Sequence, residues 1–143
     1  MKRVLFYAVV LLAVTMPLSA SADVFNVTTT GGFQTALTTA QSNNDDDTIN
    51  VAAGTYNLGA TLEYVAALGE NHSLTIVGSG VGDTILNGGA LIRILVITTS
   101  VLVDDSNAHI AIRGVTFQNA NGADGGALYV RVTSANITVE DSE

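Results

Sequence analysis

Apolar residues alternate with small or polar ones in four short phrases along the chain: Ile49-Asn50-Val51, Leu74-Thr75-Ile76, Ile110-Ala111-Ile112 and Ile137-Thr138-Val139. Such alternation marks a β-strand with one buried face. Gly, Asn and Asp flank or follow each phrase, and the first residues of the phrases lie 25, 36 and 27 positions apart. One strand per repeat at this period predicts stacked coils, each of which buries its apolar face only against the coils above and below it.

The intervening segments fill in the order of elements. Residues 24–30 are β-branched and alternate, so they read as a strand that Gly31-Gly32 breaks. Phe33, Ala36, Leu37 and Ala40 recur at i, i+3, i+4 and i+7, which predicts a two-turn helix over 33–40. So short a helix needs a surface to lie on, and the open end of a strand stack supplies one. Ser42 to Asp47 reads as a polar turn, Thr48 to Val51 as the first coil strand, and Ala53 to Tyr56 as the turn out of it. Residues 57–72 yield no firm element, although Leu58, Leu62, Val65 and Leu68 are apolar anchors.

Leu74 to Val77 and Thr84 to Leu86 read as strands on either side of a Gly78–Asp83 turn. Leu91 to Val103 is an apolar run, read as one or two strands within a loop-out that accounts for the offset of 36. It contains Ile94-Leu95-Val96-Ile97, an uncharged stretch with an aggregation signature. Ile110, Ile112, Val115 and Phe117 alternate around a corner at Arg113-Gly114. Asn119 to Gly126 is a turn, Ala127 to Val130 a strand, and Ile137 opens a fourth coil that stops at Glu143 before reaching the counterpart of Phe117. Terminal repeats normally differ so as to close a stack, and the expectation is therefore a fragment of a longer frame.

Residues 1–22 read as a secretory leader. Lys2 and Arg3 precede an apolar stretch from Val4 to Val14, Pro17 breaks any helix, and Ala20-Ser21-Ala22 supplies small residues before a cleavage between Ala22 and Asp23. The apolar run is short of the ~18 residues that suggest a membrane span. Residues 23–143 then form the domain, exported to the cell surface, the envelope or the medium, with no transmembrane span. Cleavage leaves Arg93, Arg113 and Arg131 against thirteen acidic residues, a formal charge of −10. That balance disfavours nucleic acid and anionic membrane surfaces as partners. The chain has no Cys, which removes disulfides, Cys-ligated metals and thiol catalysis.

The helix followed by Asp47-Thr48-Ile49-Asn50-Val51-Ala52-Ala53-Gly54-Thr55-Tyr56 resembles the start of a right-handed parallel β-helix of the pectate-lyase-like superfamily. Gly114 to Asn119 followed by Gly125-Gly126-Ala127-Leu128-Tyr129 resembles the polymorphic outer-membrane-protein type of repeat, which pairs Phe-x-x-Asn with Gly-Gly-Ala-Ile/Leu. The Gly-Gly-Ala-Leu half matches. The other half departs, because Asn119 and Asn121 lie two and four places after Phe117. These resemblances imply an all-β, right-handed parallel β-helix with a short N-terminal capping helix, about four coils and no C-terminal cap. Gly125 and Gly126 suit a tight corner, and Asn119 and Asn121 can hydrogen-bond turn backbone.

The chemistry is sparse. Lyases of that superfamily imply several Asp on one sheet holding calcium, with an Arg as base. Asp45, Asp46 and Asp47 are the weak calcium candidates here, but Asp in a turn usually serves local hydrogen bonds, and calcium needs six to eight converging oxygens. Asp104 and Asp105 are adjacent and would point to opposite faces of a strand. Arg113, His72 and His109 show no positioned partner. Gly78-x-Gly80-x-Gly82 lacks the Lys and the following helix of a phosphate loop. The reading is a structural or adhesive surface protein without catalytic or metal residues, its partners cell-surface glycans or neighbouring surfaces. Two alternatives are the beginning of a polysaccharide lyase or hydrolase whose active site lies beyond residue 143, and a non-functional truncated product.

Overall fold

In the computed structural model, which describes residues 21–99 and 104–143, every strand pairing is parallel. The expected leader lies outside the described residues except for Ser21 and Ala22. Strand β1 (Ala22–Val27) is followed by helix α1 (Thr30–Ala40). The helix begins three residues before Phe33 because Thr29 caps it: its backbone is extended and its Oγ1 accepts the Gly32 N–H at 3.0 Å. A Thr cap satisfies one of the orphan donors of the first turn, and this lets Gly31 and Gly32 be helical. Thr28 to Thr30, expected as strand, therefore belong to the strand exit and the helix start. Phe33, Ala36, Leu37 and Ala40 are buried, as their spacing requires.

The coils follow in order. The first comprises β2 (Asp46–Val51), β3 (Gly54–Asn57) and β4 (Leu62–Val65). The second comprises β5 (Leu74–Val77), β6 (Thr84–Asn87) and β7 (Leu95–Thr98), and the third β8 (His109–Arg113), β9 (Thr116–Gln118) and β10 (Leu128–Arg131). Strand β11 (Asn136–Glu140) begins the next. One sheet runs β1-β2-β5-β8-β11, a second β3-β6-β9 and a third β4-β7-β10. The fold is a parallel β-solenoid of three complete turns. Strand β1 is a fifth member of the long sheet, a place that its sequence did not reveal. Among the described residues no helix is long and apolar enough to cross a membrane.

The core is built of columns. Phe25, Ile49, Ile76, Ile112 and Val139 succeed one another in register. Tyr56, Leu86 and Phe117 form the column of the second sheet, and Leu62–Leu95–Leu128 and Tyr64–Ile97–Val130 those of the third. Inward positions recur every second residue, so Tyr64 is buried while Val65, expected as an anchor, is 48% exposed. Leu68, also expected as an anchor, is 79% exposed. Two segments read as irregular or as a turn, 57–72 and Ala53–Tyr56, thus hold β4 and most of β3.

Leu91 to Thr99, the described part of that run, is not a loop-out. Strand β7 lies inside it as the central strand of its sheet, so Ile94, Leu95 and Ile97 are buried and the strand is paired on both sides, which removes the hazard of an exposed edge. Register partners show instead that each of the three connections of the second coil is three residues longer than its counterpart in the first. The corner at Gly114 is real. Its φ is +68°, and a Cβ on Gly78 would collide with the Gly114 carbonyl oxygen, so two successive turns nest backbone to backbone.

The four strand phrases align with one change. Ile49 pairs with Ile76, not Leu74, and Asp47 takes the place in the column that Leu74, Ile110 and Ile137 occupy above it. A two-residue slip keeps every side chain on its own face, which is why the inward and outward assignment survives the shift.

Candidate functional site

The Asp45–Asp47 run divides three ways. Asp45 lies in the loop after α1, and Asp46 and Asp47 lie on β2, where neighbouring side chains take opposite faces. Asp46 points outward, accepts the Ser73 N–H at 2.8 Å and stands 3.8 Å from His72 Nδ1. Asp47 points inward and is 3% exposed. The three carboxylates therefore do not converge as a ligand set. Among the described residues no group of three or more His, Cys, Asp and Glu is placed to hold a metal ion.

A different polar cluster forms around Asp47. Asn43 Nδ2 donates to Asp47 Oδ1 at 2.9 Å and to Asp23 Oδ2 at 3.4 Å. Asn44, in the left-handed region with φ of 59°, donates its N–H to Glu70 Oε2 at 3.0 Å. Glu70 is only 2% exposed, and its Oε1 is buried without a hydrogen-bond partner. Burial pushes the Asp47 carboxyl from 3.8 up to about 6. The Asn43 hydrogen bond opposes the rise, and the charges of Asp23, Glu70 and Asp45 add to it. Burial, with the charges of Glu70 and Asp47, also pushes the Tyr64 hydroxyl up. Sequence reasoning missed this cluster because an Asp beside a polar run reads as a solvated turn. Glu70, from the unassigned segment, carried no signal.

The outward faces are mostly neutral. Val24, Thr48, Thr75, Ala111 and Thr138 form one outward column of the long sheet. Beside it Asn50 Nδ2 donates to Asn26 Oδ1 at 3.3 Å. A second amide ladder runs along the β3-β6-β9 side, where Asn87 donates to Asn57 at 2.8 Å and Asn119 to Asn87 at 3.1 Å. Stacked identical amides in parallel register can satisfy one another from coil to coil. Asn26, Asn50, Thr28 and Ser79 contribute to an open groove of about 260 Å³ at the corner between the first two sheets. Arg113 is exposed at the end of β8, with Glu140 as its register neighbour. His109 is exposed, its Nε2 3.4 Å from Thr138 Oγ1.

The residues of the repeat phrase join the third coil to the second. Phe117 stacks on Leu86. Asn119, with φ of 50°, gives its amide to Asn87, a side-chain partner where turn backbone was expected, whereas Asn121 does donate to the Ala90 carbonyl. The carbonyls of Gly126 and Ala127 accept the Ile94 and Leu95 N–H groups, and Leu128 pairs with Leu95. The Gly125 carbonyl accepts from Arg93 Nε at 2.7 Å, and the Arg93 guanidinium lies 4.6 Å from the Tyr129 ring centroid. These residues hold coil to coil.

Asp104 and Asp105 also part company. Asp104 is exposed, while Asp105 is fully buried and accepts from Thr99 Oγ1, the Thr133 N–H at 2.9 Å and the Ser134 N–H at 2.7 Å. Burial alone would raise its carboxyl. The hydrogen bonds from Thr99, Thr133, Ser134 and Ala135 outweigh it and hold the group below the usual carboxylate range. Asp105 ties the turn before β8 to the turn before β11.

No protein-family model, no curated protein and no solved structure matches the chain.

Proposed function

We propose that the chain is an exported structural or adhesive surface protein, a β-solenoid rod of the pectate-lyase-like kind with a polymorphic outer-membrane-type repeat. One observation carries this reading: the outward column Thr48, Thr75, Ala111 and Thr138 presents short neutral side chains in register on consecutive coils. With the neighbouring Asn26–Asn50 pair it offers hydroxyl and amide groups side by side on the first coils, which suits contact with cell-surface glycans or a neighbouring surface. The basic, apolar, small-residue order of residues 1–22 supports export. The test is to express the chain with its leader and to probe the medium, envelope and cytoplasm for product. The purified domain is then assayed on glycan-coated surfaces, with and without bulky substitutions at Thr48 and Thr75. Product found only in the cytoplasm, or release of unsaturated products from polygalacturonate by this chain, overturns the reading.

A further inference from the structure

The end of the solenoid that α1 covers contains a charge problem that the rest of the core does not. At the register position where the later coils bury Leu74, Ile110 and Ile137, the first coil buries Asp47. The buried Glu70 lies near enough for its charge to act on Asp47, and one of its oxygens has no partner. Other groups facing Asp47 are Asp23 from β1, Asp45 from the α1–β2 loop and Tyr64 from β4. None of these is a cation, and α1 itself carries no titratable side chain. His72 stands on the outer side, with Asp46. The same two carboxyls hold the chain that leaves α1: Asp47 through the Asn43 amide and Glu70 through the N–H of Asn44, whose backbone is left-handed. Ionisation of Asp47 places its charge beneath that loop against the buried Glu70, which is costly unless Asp47 carries a proton or the loop moves to admit water.

We propose that Asp47, with the buried Glu70 beside it, is a proton-operated latch for the helical cap. With Asp47 protonated, residues 41–45 stay bound and α1 stays seated on the first coil. With Asp47 ionised, the loop lifts and the cap end of the solenoid opens while the later coils remain closed. The coupling links the acidity of the surroundings to exposure of the apolar face of α1, Phe33 and Leu37 above all.

The test is amide hydrogen exchange resolved by residue on the full chain, corrected for the intrinsic pH dependence of exchange. Protection of Asn44 and of the α1 amides is expected to fall about tenfold between about pH 5 and about pH 7.5 while protection in β8 holds. Asp47→Asn, close in shape to the original, is expected to abolish that difference, and Glu70→Gln, which removes the charge acting on Asp47, to shrink it. Protection in the unsubstituted chain that does not change with pH overturns the latch. So does a pH dependence that survives undiminished in Asp47→Asn. Restoration of protection at the higher pH by millimolar calcium also overturns it, since the missing partner would then be a cation.

Discussion

Asp47 and Leu74 are register partners on adjacent parallel strands, so an ionisable side chain and an aliphatic one occupy the same column of one core. The difference lies in what surrounds each. Leu74 packs between two coils, whereas Asp47, in the first coil between β1 and β5, sits among Asn43, Asp23 and Glu70.

Stability should therefore fall as pH rises through the weakly acidic range. The folded-state pKa of Asp47, about 6, lies above the ordinary 3.8, so between these values the folded chain binds more protons than the unfolded one. The contribution of Asp47 is full below about pH 4 and is lost by about pH 6. Asp105 acts in the opposite sense: held below the usual range, it stabilises above about pH 4, and its contribution is lost as pH falls further. Thermal melts from acid to neutral pH should show a maximum near pH 4. Asp47→Asn should flatten the upper limb only. Melting temperatures that climb steadily from pH 4 to 7 would contradict this account.

Asp105→Ala should be the most damaging polar substitution. It leaves the buried Thr99 hydroxyl and the part-buried Thr133 and Ser134 N–H groups without their acceptor, at a cost of about 2–3 kcal/mol. The drop in urea midpoint measures it. Asp104→Ala, at an exposed position, should shift the midpoint little.

Breaking the amide ladder at its middle should cost more than breaking it at an end. Asn87→Ala removes the donor to Asn57 and the acceptor of both Asn119 and the Gly89 N–H, a loss of about 2–3 kcal/mol. Asn57→Ala removes one bond and should cost about a third as much. Equal midpoints for the two variants would show that the ladder is not a connected unit.

Gly78→Ala should destabilise by about 2 kcal/mol or more, because its Cβ would collide with Gly114 backbone that cannot yield without parting two coils. Gly59→Ala is the matched control: its Cβ meets nothing within 4 Å, and its effect should stay within about 0.5 kcal/mol. Comparable losses at the two positions would refute the nested-turn geometry.

The long sheet was legible because Ile76, Ile112 and their neighbours alternate cleanly with small outward residues. Strands β3 and β4 were not. Gly54-Thr55-Tyr56-Asn57 offers a single inward side chain, too few for a periodicity, and in Leu62-Glu63-Tyr64-Val65 the amphipathic Tyr64 points in while the aliphatic Val65 points out. The buried carboxylates escaped for a related reason. Pattern reading assigns charge to solvent, and only the fold shows that Asp47, Glu70 and Asp105 are enclosed, the last two with hydrogen-bond partners distant in sequence. The amide ladders needed the register itself, since Asn57, Asn87 and Asn119 sit at unequal spacings along the chain.

Because each coil contacts only its neighbours in the stack, and because β1 and α1 precede the first coil in the chain, the described part of the molecule can be assembled in the order in which it is made. The helix and first coil can close before the third coil has been synthesised, and each later strand then finds a finished edge beside which to lie. Among the described residues each strand waits only for the coil that follows it. Growth of such a rod resembles the laying of courses on a foundation, with the direction of synthesis setting the direction of construction.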